Sequence, residues 1–260
     1  MLHVKNLCFS YTTSSSAIQD ISFVAKEGEI TAILGPNGAG KSTLFHLILG
    51  TLKAHSGEIQ TQGTSLMGLS LAKRAQHISY VPQEWHSPFN YTTLDVVLMG
   101  LSPRLGLFSQ PSKADIQKAH EILTLLGIAH LGERGIGELS GGERQMALLG
   151  RALMQETPIL LLDEPTSHLD LKNQMKILSI LEHLAKTTKL CIVVTLHDPN
   201  LASQYANRIV AIKKGKVYHS GSVQEMMDKQ RLEGLYDHPI ELTTLDGHPI
   251  MRGKKECFGD

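Results

Sequence analysis

The chain has 260 residues, 42% of them hydrophobic, and no formal net charge, enough to bury a substantial core in one large α/β domain or a domain carrying an inserted subdomain. Charge neutrality removes the electrostatic case for a nucleic-acid partner. The three cysteines, Cys8, Cys191 and Cys257, are far apart and form no CxxC pair, which argues against a zinc site or disulfide framework and fits a reducing compartment.

The first thirty residues read as short strands. Leu2, Val4 and Leu7 alternate loosely, Ser10 to Ser16 form a polar loop, and Ile21, Phe23 and Ala25 alternate before a turn at Gly28. Met1 to Lys5 opens directly into this pattern without the apolar core of a signal peptide. No apolar run approaches the ~18 residues of a membrane span, so any pore belongs to another chain.

A β-type run, Ile30 to Leu34, leads into Gly35-Pro36-Asn37-Gly38-Ala39-Gly40-Lys41-Ser42-Thr43 and then a helix-like run, Leu44 to Leu49. This is the phosphate-binding pattern G-x-x-x-x-G-K-[ST] in its required strand–loop–helix setting. Glycines let the backbone N–H groups close on phosphate oxygens, and the helix N-terminus adds donors and partial positive charge. Lys41 is placed for the β- and γ-phosphates and Ser42 for Mg²⁺, so ATP and Mg²⁺ are the expected ligands.

Further strands are expected at 56–63 and at Ile78 to Val81, stopped by Pro82. From 84 to 138 the pattern turns helical. Leu94, Val97, Leu98 and Leu101 are periodic, a loop holds Pro103, Gly106 and Pro111, and Ser112 caps a helix ending at Gly127. Helices at 141–155, 171–187 and 199–206 then alternate with strands at 159–162 and 190–195, which predicts a mostly parallel sheet covered on both faces. Ile209 to Ile212 and Lys216 to Tyr218 flank Lys213-Lys214-Gly215 as a hairpin. The expected organisation is one unit: a core of 1–83 and 139–220 with an N-terminal antiparallel β subdomain, an α-helical insertion at 84–138, and a C-terminal segment at 221–260. In that last segment Leu232, Leu235 and Tyr236 form a closing helix and Gly253 to Glu256 a mobile end. The thirteen histidines are scattered, and His238, His248 and Cys257 lack metal-ligand spacing.

Two other segments carry chemistry. The strand Ile159 to Leu162 delivers Asp163 and Glu164 at its C-terminal end, where such sheets place ligands. Asp163 suits Mg²⁺, and Glu164 suits polarisation of the water that attacks the γ-phosphate. Leu139-Ser140-Gly141-Gly142-Glu143 stands before a helix-like run and makes a second anion-binding helix start. One nucleotide does not need two cradles from one chain, so a head-to-tail dimer is the economical arrangement, each Ser140-Gly141-Gly142 closing on the ATP of the other copy.

With these segments in order, the chain resembles the ATP-binding subunit of an ABC (ATP-binding cassette) transporter, over roughly residues 1 to 245. The resemblance implies that Tyr11 stacks on adenine, and that Gln83 senses Mg²⁺ and the γ-phosphate while touching a membrane partner. It further implies that Ser167 to Asp170 speaks across the dimer, with Asp170 at the shared nucleotide, and that His197 is the switch histidine. Lys41, Gln83, Glu164 and His197 are then the catalytic set, and Ser42, Gln83 and Asp163 the Mg²⁺ set. Trp85, His86, Pro88, Phe89 and Tyr91 are candidates for receiving a permease helix. Glu164 to Asp170, Leu196 to Ala202 and Val97 to Gly100 look like the importer branch for metal chelates: iron–siderophore, haem, cobalamin and molybdate. Pro199 stands where that branch usually has Leu, and Leu101 where it has Arg. The implied partners are a second cassette, polytopic permease subunits and an extracytoplasmic substrate-binding protein, with the cassette at the cytoplasmic face of the membrane. The alternatives are an exporter cassette or a non-transport ABC-type ATPase. The gap of about 95 residues between the two glycine segments carries no sustained heptads for the coiled coils of repair and chromosome forms.

Overall fold

The computed structural model describes residues 1–12, 15–85, 87–105, 109–245 and 248–254. An N-terminal hairpin pairs β1 (Leu2–Thr12) with β2 (Ser15–Ala25), and β4 (Ser56–Thr61) and β5 (Thr64–Ser65) extend it into an antiparallel sheet ordered β2-β1-β4-β5. The second sheet runs β10 (Lys216–Ser222), β9 (Arg208–Lys213), β3 (Ile30–Leu34), β8 (Cys191–Thr195), β7 (Ile159–Leu162), β6 (Ile78–Val81). All neighbours in it are parallel except the β9–β10 hairpin. The expected ABC cassette architecture is therefore present: a parallel P-loop core sheet, an antiparallel β sheet and added helices.

The central strands β3, β7 and β8 are buried along their whole length, so their residues alternate between two apolar layers. Ile33, Leu161 and Val193 join Leu44, Phe45 and Ile48 of α1 (Lys41–Leu49) and the antiparallel sheet. Ala32, Leu160, Leu162 and Val194 face the other layer, with α5 (Gly141–Met154) and α6 (Leu171–Thr188). Between β5 and β6 lies the short α2 (Leu71–Arg74), and between β6 and α5 lie α3 (Thr93–Leu98), continued by a 3₁₀ turn, and α4 (Lys113–Leu125). Thr92 and Ser112 close reciprocal capping boxes with Asp95 and Asp115 on α3 and α4, the chemistry expected of Ser112. After β8 come α7 (Pro199–Tyr205), then α8 (Val223–Met226), α9 (Lys229–Tyr236) and a hairpin of β11 (Ile240–Leu245) with β12 (His248–Gly253). Leu232 and Leu235 of α9 are fully buried, as a closing helix requires.

Two expectations need correction, and one short helix adds to them. Ser10 to Thr12 and Ser15–Ser16 are strand, with Ser10 opposite Ser16 and Thr12 opposite Ser15. Ladder hydrogen bonds are backbone bonds, so a polar strand end still pairs. α2 was not foreseen; its Ser70 cap is a weak signal over four residues. The C-terminal end is not mobile through Gly253 and Lys254: Gly253 pairs with Ile240, and the Lys254 N–H donates to Pro239 O at 3.0 Å. Asp246-Gly247 was the available hairpin signal; like Gly106, His86, Lys255, Glu256 and Cys257 it lies outside the described residues.

Candidate active site

The glycine loop runs from the end of β3 into α1. Gly35 passes so close to β9 that a Cβ there would sit 2.2 Å from Ile212 O. At Gly38, by contrast, the backbone is left-handed (φ 75°) and faces open space. The β9–β10 turn braces the loop from outside, the Gly215 N–H donating to Ala39 O at 3.0 Å and the Gln19 N–H to Gly215 O at 2.7 Å.

Among the described residues, α2 to α9 each start with a Ser, Thr or Asp side chain accepting a backbone N–H. α1 follows Gly40 and has no side-chain cap. Among the described residues its first-turn donors have no side-chain cap, the condition for binding an anion at a helix start. Lys41 opens that helix, buried to 6% exposure. Its Nζ donates to Gly35 O at 2.9 Å and Pro36 O at 3.4 Å. Burial pushes its pKa down, and the nearby Glu164 and Asp163 pull it up.

Opposite stand the two carboxylates at the end of β7. The buried Thr195 on β8 organises both: its hydroxyl donates to Asp163 Oδ1 at 2.7 Å and accepts the Glu164 N–H at 2.7 Å. Glu164 itself has a left-handed backbone (φ 48°). Two side chains converge on its carboxylate. Gln83 Nε2 donates to Glu164 Oε2 at 2.8 Å, and His197 Nε2 lies 2.5 Å from the same oxygen. Burial, and then the charge of Asp163, pushes the Tyr80 phenol upward.

Lys41, Ser42, Thr43, Gln83, Glu164 and His197 line one cleft of about 810 Å³. Tyr11 is on its rim, 60% exposed, edge-on to Phe9 with ring centroids 4.9 Å apart and its hydroxyl 3.1 Å from Thr43 Oγ1. An exposed aromatic face beside a phosphate-sized loop can stack a purine.

Ser140, Gly141, Gly142 and Asp170 do not line this cleft. They lie near one another instead. Gly142 presses on Asn173, where a Cβ would come within 2.6 Å of Asn173 Cγ, and Gly141 approaches Leu169. Ser140 caps α5 in a reciprocal box with Glu143, and Asp170 Oδ1 caps α6 by accepting the Asn173 N–H at 2.8 Å. The two glycine-rich helix starts of this chain are thus separate sites.

The family model described as ABC transporter matches residues 18–167, from within β2 through the glycine loop and both carboxylates. The chain belongs to the ABC transporter family, as an ATP-binding domain. The cassette is 40% identical to a protein of Helicobacter pylori named for iron chelatin transport, over 96% of this chain and 98% of that one. It is 38% identical to the molybdate import ATP-binding protein MolC of Haemophilus influenzae, over 92% of this chain and 89% of that one. It superposes with a TM-score of 0.86, at 35% identity and covering 98% of this chain and 97% of the other, on an ABC transporter assigned to the metal-chelate type in an inward-facing conformation. The cassette is accordingly an ATPase, and no helix among its described residues is long and apolar enough to cross a membrane.

Several residues of the cassette's cleft were missed from sequence. Thr195 reads as one more β-branched residue of a buried strand, and its hydroxyl has meaning only because β8 lies beside β7. Ala17, Gln19, Lys214 and Gly215 form the wall beyond Tyr11; no local motif marks them.

Proposed function

We propose that this ATPase is the motor subunit of an importer for a metal chelate such as iron–siderophore, haem, cobalamin or molybdate. In this reading two copies work head to tail against polytopic permease subunits at the cytoplasmic face of the membrane, and an extracytoplasmic binding protein delivers the cargo. The convergence of Gln83 and His197 on Glu164 in the cleft of the glycine loop carries the reading. The relatives' transport roles and the separation of Ser140–Gly142 from that cleft support the cargo class and the dimer.

ATP enters with adenine on Tyr11 and phosphates along the amides of 35–43, where the uncapped α1 start and Lys41 meet the negative charge. Ser42, Gln83 and Asp163 are oxygen donors of the kind Mg²⁺ takes, Asp163 being buried to 4% exposure and oriented by Thr195. Bound there, Mg²⁺ would supply charge neutralisation at the phosphates. Glu164 orients the attacking water and accepts its proton as the new P–O bond forms and ADP leaves with the β–γ bridging oxygen. His197 and Lys41 balance charge on the transferred phosphoryl group. Ser140, Gly141 and Gly142 of the other copy, with Asp170 beside them, close on the γ-phosphate. Its loss reopens the dimer and provides the stroke. Trp85, Ser87, Pro88, Phe89, Ile136 and Arg144 line a groove of about 350 Å³, with Phe89 64% exposed. It is the surface we assign to a permease helix.

Glu164→Gln tests the catalytic core. It should bind ATP, lose turnover by about 10²- to 10⁴-fold, the worth of a general base, and accumulate as a closed dimer by size-exclusion chromatography with ATP. Hydrolysis at the wild-type rate would overturn the assignment.

A further inference from the structure

His197 is followed at once by Asp198, which caps α7 by accepting the Asn200 N–H at 2.7 Å. α7 is seven residues long, too short to hold its place by propensity. The C-terminal hairpin grips it. Asn200 behaves as an extra strand partner for β12: its Nδ2 donates to Met251 O at 3.1 Å and its Oδ1 accepts the Met251 N–H at 2.7 Å. Three residues on, the single Ser203 hydroxyl proton is shared between Asn200 O at 2.9 Å and Pro249 O of β12 at 3.1 Å.

The hairpin is itself anchored. Ile240 is buried, Leu242 and Met251 pack on the main core, and the Ile240 N–H donates to Glu233 Oε1 of α9 at 2.9 Å. At the end of α9, Lys213 of β9 bonds Gly234 O and pairs with Asp237 at 2.6 Å. Lys213 precedes Lys214 and Gly215, which line the nucleotide cleft. Residues 229–254 therefore tie the strand leading to one wall of the cleft to the helix directly behind His197 on another.

We infer that the C-terminal hairpin is a latch that sets the position of His197 through α7, with Asn200 as the positioning residue. The inference rests on the reading of Glu164 and His197 as partners in hydrolysis. With the latch made, His197 is held within reach of Glu164 Oε2; with it broken, α7 keeps its Asp198 cap, the buried Ala202 and the Tyr205–Met175 contact with α6, but its first turn, next to His197, loses the polar ties to β12. Displacing a catalytic group by about 1 Å costs on the order of 10²-fold in rate.

The experiment compares wild type, Asn200→Ala, Met251→Pro, His197→Ala and the Asn200→Ala/His197→Ala double variant, each as the full chain. Met251→Pro removes the backbone donor to Asn200 from the β12 side, because that N–H points at Asn200 and not into the β11 ladder. Expected are a fall in kcat of about 10- to 100-fold for both single latch variants, KM for ATP within twofold of wild type, and faster amide exchange confined to 196–206 and the hairpin that bonds it. In the His197→Ala background Asn200→Ala should add less than twofold. Unchanged kcat, an equal loss in the His197→Ala background, or faster exchange spread across the core would overturn the latch. Should His197→Ala lie below detection, the exchange pattern and the two single variants decide. A wild-type chain without ATPase activity would instead refute the hydrolytic reading on which the latch rests.

Discussion

Replacing Thr195 by valine should damage both the stability and the chemistry of the cassette, although volume and β propensity barely change. Thr195 is fully buried, and its hydroxyl makes two bonds of 2.7 Å, one donated to Asp163 Oδ1 and one accepted from the Glu164 N–H. A hydrogen bond to a charged acceptor contributes about 1.5–3 kcal/mol, and a buried N–H left without a partner costs about 1–3 kcal/mol. The added methyl group recovers about 0.8 kcal/mol, so the net loss is about 2–5 kcal/mol. With a urea slope of about 3 kcal/mol/M the unfolding midpoint should fall by about 1 M. The second consequence is local. Glu164 has φ 48°, a conformation costing about 1–2 kcal/mol for a residue with a side chain, and the Thr195 bond helps hold it. Without that bond the turn relaxes and the carboxylate swings away from Gln83 and His197, so kcat should fall at least about tenfold, by the positioning argument. Thr195→Ser keeps the hydroxyl and should recover most of the rate. Urea denaturation followed by fluorescence, together with steady-state phosphate release, measures both effects. A midpoint shift below about 0.3 M with kcat unchanged would show that Thr195 organises neither carboxylate.

Gly35→Ala should lower Tm further than Gly38→Ala. The first places a Cβ 2.2 Å from a backbone oxygen, an overpacking cost of about 1–3 kcal/mol, and the second meets open space and only the left-handed penalty; equal losses would contradict this loop geometry. Ser140→Arg should abolish hydrolysis and retain ATP binding to the same chain, because Ser140 lies outside that chain's cleft, with about 1 kcal/mol lost from the α5 cap; loss of ATP binding in equilibrium titration would refute the two-chain site. Cys191 is fully buried, and burial pushes its thiol up to about 11, so iodoacetamide at pH 8 should leave it unmodified until denaturant is added. Peptide mass spectrometry showing equal labelling with and without denaturant would contradict that burial.

Local chemistry is what the residue order made legible. The strand–glycine loop–helix of 30–49, the cap at Ser112, the helix start at Ser140 to Gly142, and the buried strands before Asp163 and His197 each depend on residues within one or two turns of each other. Periodicity and capping report on such neighbours directly. Polar strand ends at 10–12 escaped this reading because exposed ladder positions do not select for hydrophobicity, and the β11–β12 hairpin because its burial depends on α7 and α9. The site's working contacts are of another kind. Gln83 and Glu164 are 81 positions apart, Thr195 and Asp163 are 32 apart, and Asn200 and Met251 are 51 apart. Nothing in a short window marks Thr195 as the organiser of two carboxylates, Gln19 and Lys214 as cleft wall, or Asn200 as the grip of a hairpin. The contacts among Gln83, Asp163, Glu164 and Thr195 exist because the parallel order β8-β7-β6 brings successive strand ends together, where hydrogen bonds reaching about 3 Å can form between segments remote in the chain; Gln19 and Lys214 reach the cleft from β2 and the β9–β10 turn, and Asn200 meets Met251 because β12 lies against α7.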